Sequence, residues 1–93
     1  MSTKGALTIV SKEVTAHAAV VIIEADSQEQ LTSVAAKNLA IQTATAGGLQ
    51  RAGLSNTPAP YPVGPDGESD EDLRLGRKPL TAYRCEFKLA GGL

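Results

Sequence analysis

The chain has 93 residues, a length that suits one domain. Apolar residues make up 42% of it and the formal charge is −1, so it has the content of a packed domain and lacks the basic stripe that nucleic-acid backbones require. Aromatics are only 3% (Tyr61, Tyr83 and Phe87), which leaves the core to Val, Ile, Leu and Ala and makes stacking surfaces for bases or sugars nearly absent.

In chain order, Ala6 to Val10 is short and rich in strand-forming residues. Ser11-Lys12-Glu13-Val14 is expected to turn the chain into a hairpin, without an Asn-Gly or Asp-Gly pair to mark the turn. Thr15 to Ala25 is the strongest strand, because Val20, Val21, Ile22 and Ile23 are consecutive and β-branched. Such continuous apolarity predicts a central strand, covered on both faces or covered on one and packed against a partner on the other. The longest apolar run, Ala18 to Ile23, falls far short of the ~20 residues that a membrane-spanning helix needs.

Ser27 opens a helix. Gln30 lies three positions on and completes a capping box, and Asp26 and Glu29 place negative charge at the positive end of the helix dipole. At 100° per residue, Leu31, Val34, Ala35, Asn38, Ile41, Thr45, Leu49 and Ala52 share one face. Thr32, Ser33, Lys37, Thr43, Gln50 and Arg51 share the other. The pattern predicts one amphipathic helix of about 25 residues, ended by Gly53 as a left-handed cap with Leu54 as its hydrophobic contact. Gly47-Gly48 inside it predicts a kink, fraying or close packing.

Pro58, Pro60 and Pro62 alternate through Thr57 to Val63 and restrict that piece to an edge strand or an extended linker. Residues 64–79 are polar and acidic, and Pro65-Asp66-Gly67 signals a turn, so an exposed loop is expected. Leu80 to Ala90 alternates Tyr83, Cys85, Phe87 and Leu89 with Arg84, Glu86 and Lys88, a period of two that puts the first set inward. The fold class is therefore α+β: an antiparallel sheet with one long amphipathic helix on one face, in β-β-α-β-β order, within a single domain over residues 1–93.

No residue is assigned a catalytic, cofactor-binding or metal-binding role, and no cofactor is expected. His17 is the one histidine and has no acid–base partner near it in sequence. Cys85 is the one cysteine and reads as an inward small hydrophobe, with Arg84 directed to the opposite side of the sheet. Asp66, Glu68, Asp70, Glu71 and Asp72 invite a calcium reading. A calcium loop starting at Asp66 would need glycine and glutamate where Glu71 and Arg77 stand. Gly47-Gly48 to Gly53 lacks the Lys-Ser/Thr ending of a phosphate loop. Asn38, on the apolar stripe, is expected to bond a strand-end carbonyl or a water.

Two stretches resemble the SIMPL-domain family. Val34-Ala35-Ala36-Lys37-Asn38 through Leu49-Gln50-Arg51-Ala52-Gly53-Leu54 is similar to that family's long helix. Leu80-Thr81-Ala82-Tyr83-Arg84 looks like its tyrosine-arginine strand after a variable polar loop. The order of hairpin, helix, Pro-containing segment, polar loop and Tyr-Arg strand agrees over most of residues 7–89. Glu13-Val14-Thr15-Ala16 stands where the family commonly has a Pro-Asp pair. The family's domain continues past the Tyr-Arg strand, so the resemblance implies either part of such a domain or a reduced form that needs a partner to finish its core. It also implies an interaction role: bacterial relatives are often exported and some assemble into rings, and an animal relative binds a pelle-like kinase. The family brings no established catalytic residues.

The expected function is thus a non-enzymatic protein-interaction or self-assembly module, with a protein partner or self-association and neither nucleic acid nor a membrane span. The alternative is a small-ligand or divalent-metal-binding domain using the acidic 66–72 loop. Met1-Ser2-Thr3-Lys4-Gly5 does not open a signal peptide, which implies cytoplasm if that start is native and periplasm or cell envelope if a signal peptide was removed.

Overall fold

A computed structural model describes residues 7–65, 71–77 and 79–92. It has the expected α+β architecture, with an antiparallel sheet and helices on one of its faces. Strand β1 (Thr8–Val14) and strand β2 (Ala18–Ala25) form a hairpin. The turn lies at Thr15–His17, which corrects the expectation of a turn at 11–14. One hydroxyl builds it: Thr15 Oγ1 accepts from the backbone N–H of Ala18 at 3.0 Å and of His17 at 3.3 Å, and donates to the Ala18 carbonyl at 3.0 Å. The threonine does locally what Asn or Gly does in commoner turns.

The helical stretch comes in two pieces, α1 (Gln28–Leu31) and α2 (Val34–Ala46), which corrects the single long helix. The capping box at its start is present: Gln30 N–H donates to Ser27 Oγ, and Ser27 N–H donates to Gln30 Oε1 at 3.0 Å. Thr32 and Ser33 break the run. Thr32 Oγ1 donates back to the Glu29 carbonyl at 3.2 Å, and Ser33 Oγ donates to the Gln30 carbonyl at 2.6 Å while accepting from Ala36 N–H at 3.3 Å. Ser33, with extended ψ of 161°, therefore ends the first helix and caps the second. The break resets the helical phase. Ala36, Ala40 and Ala44 are fully buried in α2 instead of Val34, Ala35, Asn38 and Thr45, and Val34 is 70% exposed.

The helix also stops earlier than expected, because Gly48 rather than Gly53 takes the left-handed cap at φ 111°. Gly48 N–H donates to the Thr45 carbonyl and Leu49 N–H to the Ala44 carbonyl, both at 3.0 Å, and Leu49 is fully buried as the hydrophobic contact of that cap. Gly47 gives close packing: a Cβ there would meet Val14 at 2.9 Å.

Strand β3 (Gly53–Leu54) and strand β4 (Tyr61–Val63) precede the short helix α3 (Glu71–Arg74) and strand β5 (Ala82–Ala90). The sheet order is β1-β2-β5-β3, and β4 also pairs with β5. Because β2 pairs with β5 from Ala82's neighbour Tyr83 through Ala90, β3 and β4 share the other edge of β5. Residues 64–79 are not wholly an exposed loop: α3 lies against β4, and Leu73 is 4% exposed. The main core joins Val21 and Ile23 of β2, Cys85, Phe87 and Leu89 of β5, and Leu31 and the three alanines from the helices. The small alanine side chains bring α2 close to the sheet. The shortest extent of the molecule is 19 Å, the thickness of one sheet and one helical layer given ~10 Å between packed layers.

Candidate functional site

Among the described residues no helix lies on the second face of the sheet, and the residues of that face follow from the pleat. In β2, Ala19, Val21, Ile23 and Ala25 are buried under the helices, while Val20, Ile22 and Glu24 point the other way and are half-buried. Of the two expectations for Val20 to Ile23, helical cover on both faces is not what the described residues show: one face is covered by helices and the other is half-buried.

Cross-strand register places the rest of the face. Val20 lies between Glu13 of β1 and Lys88 of β5; Ile22 lies between Ser11 and Glu86; Glu24 lies between Thr8 and Arg84, with Tyr61 of β4 beyond Arg84. The result is a short aliphatic stripe along the middle strand with polar and charged side chains on both flanks. Arg84 Nε donates to Glu24 Oε2 at 3.0 Å and fixes one end of the face. Lys88 and Glu86 approach to 3.9 Å with both side chains largely in water. Burial pushes the Tyr61 hydroxyl above its ordinary pKa, with the positive Arg84 opposing the shift.

The outer edge of β5 is completed by a side chain that the sequence did not single out. Asn56 lies between β3 and β4; its Nδ2 donates to the Glu86 carbonyl at 3.2 Å, and its Oδ1 accepts from Lys88 N–H at 3.0 Å. Its amide stands in for a backbone peptide where no strand runs. These partners are 30 and 32 residues away, so no local pattern could have revealed the pairing.

His17 is exposed in the hairpin turn and lines an open cleft of about 530 Å³ with Gln50, Arg51 and glycine backbone. Cys85 is fully buried on the inward face, as expected, and burial first and Glu86 second push its thiol up to about 11. It is protonated at neutral pH and packs as a small hydrophobe. Asn38 is exposed on α2 and does not sit on the buried stripe. Asp66, Glu68 and Asp70 lie outside the described residues. Glu71 and Asp72 open α3, and Asp72 is 3.6 Å from Arg77. Among the described residues, no three acidic, His or Cys side chains are grouped to hold a metal, and no helix is long and apolar enough to cross a membrane. No family model matches the chain, and neither a curated protein nor a solved structure matches it.

Proposed function

We propose that the chain is a non-enzymatic protein-interaction or self-assembly module built on the pattern of the SIMPL domain. The observation that carries the reading is the sheet face on which no helix lies among the described residues, where Val20 and Ile22 stand half-buried in the middle of a charged surround. Apolar groups flanked by charge are the arrangement of a specific protein contact: the aliphatic centre gives affinity and the flanks give orientation. The SIMPL pattern is supported by the order of a hairpin, a helix, the Pro-containing strand Tyr61–Val63 and a strand that begins Ala82-Tyr83-Arg84.

Light scattering over a concentration series tests the reading. Association above about 100 μM is expected for a modest face of this kind, and Ile22→Lys should abolish it without loss of the fold. A chain that stays monomeric to about 1 mM refutes the self-assembly reading.

A further inference from the structure

The charges of the uncovered face are unequally satisfied. Glu24 and Arg84 hold each other at 3.0 Å, with side chains 31% and 28% exposed. Glu86 and Lys88 are at the limit of an ion pair, 3.9 Å, and are 45% and 56% exposed. Glu13 has no ion-pair partner among the described residues. It is the residue of β1 opposite Val20, and Lys88 is the residue of β5 opposite the same Val20. Two strand spacings, about 10 Å, separate the acid from the base within one chain, with Val20 between them. The row therefore reads acid, aliphatic, base, and the next row reads Ser11, Ile22, Glu86.

Such a row is complementary to itself when turned over. A two-fold axis lying along β2 brings Val20 onto Val20 and Ile22 onto Ile22 of a second copy and exchanges the flanks. Glu13 then faces Lys88 of the second copy, Lys88 faces its Glu13, and the Ser11 hydroxyl can donate to its Glu86. Sheets packed face to face lie about 10 Å apart with strands within roughly 30° of each other, a gap that Glu and Lys side chains span from opposite sides. The free edge of β1 is a poorer place for the same partner. It carries Lys12 and a register irregularity between Ile9 and Ser11, both of which discourage strand addition.

We propose, on the basis of the self-assembly reading above, that two copies pack through their uncovered sheet faces about an axis along β2, with Glu13 of each opposite Lys88 of the other. The interface is isologous, so each charge exchange is made twice. Glu13 and Lys88 are exposed, and neither packs in the core.

Charge exchange tests it, read by sedimentation equilibrium with the fold checked by circular dichroism. Glu13→Lys and Lys88→Glu should each weaken the dimer by about tenfold or more by placing like charges opposite each other, and the double variant E13K/K88E should recover to within about threefold of the parent. A dimer indifferent to both single changes overturns this geometry and leaves assembly by another surface standing. Loss with Lys88→Glu but not with Glu13→Lys overturns it too, because that result places Lys88 against Glu86 of the second copy. A parent chain that never associates overturns both this inference and the reading beneath it.

Discussion

Replacing Gly91 with alanine tests the tightest point of the fold. Gly91 follows β5, and a Cβ there would sit 2.6 Å from Leu49 Cδ1, 3.3 Å from Leu49 Cγ and 2.8 Å from the Gln50 carbonyl oxygen. Leu49 is fully buried, so its side chain has little room to yield. Nor is the backbone free to move: Gly91 N–H donates to the His17 carbonyl and Gly92 N–H to the Gln50 carbonyl, both at 3.0 Å. These bonds tie the hairpin turn, the exit of α2 and the end of β5 together. Overpacking a filled site costs about 1–3 kcal/mol, a strained or lost backbone hydrogen bond adds about 1, and the lower unfolded-state entropy of alanine returns about 0.4–1. The expected net loss is about 1–3 kcal/mol, or roughly 5–20 °C in Tm for a domain of this size. Thermal and urea melts followed by circular dichroism measure it. Leu49→Ala should be destabilising alone yet partly relieve Gly91→Ala, with a coupling of about 1 kcal/mol in the double-mutant cycle. A Gly91→Ala chain that melts within about 2 °C of the parent would show that the contact is loose and the reasoning wrong.

Two other outcomes follow from the thiol of β5 and the amide at its edge. Cys85 holds its proton to about 11 in the folded chain against an ordinary value of 9.0, so the unfolded chain loses its proton first as pH rises. The thiol should therefore lower stability between about pH 9 and 11 by roughly 2–3 kcal/mol, and Cys85→Ala should flatten this part of a Tm-against-pH curve. Asn56→Ala removes one donor to the Glu86 carbonyl and one acceptor from Lys88 N–H, and should cost about 1–2 kcal/mol in urea melts with faster amide exchange at Lys88.

Residue types revealed most where a period or a cap repeats locally. The alternation of Tyr83, Cys85, Phe87 and Leu89 became the inward face of β5, and Ser27 with Gln30 became a real capping box. The helix break was illegible because Ser33 lies on what reads as the polar side of a continuous helix, where a serine is ordinary. Its decisive bonds, to the Gln30 carbonyl and the Ala36 N–H, are those of a cap, and a cap cannot be told from a surface serine without the chain's direction. The hairpin turn was misplaced for a similar reason, since the Thr15 hydroxyl supplies a turn that the dipeptide pattern does not mark. The wrong helical face followed from the break, since a phase carried across residues 32–33 drifts away from the alanines. Of the candidate face, the flank residues of β5 and the apolar run of β2 were visible in the sequence. Their alignment with Glu13 and Ser11 needed the register of β1, which depends on where the turn falls.

Asn56 has one more consequence. With β3, its amide and β4 filling the far side of β5 in succession, that border of the sheet is built from three small pieces where one strand would usually lie. The sheet's outer strands offer a foreign strand only two residues in β3 and three in β4, where Pro62 has no N–H, against seven in β1. Growth of an endless ribbon needs two open borders per subunit, one to receive and one to offer. A subunit with one long border and one broken into short pieces favours a pair over a run of joined sheets.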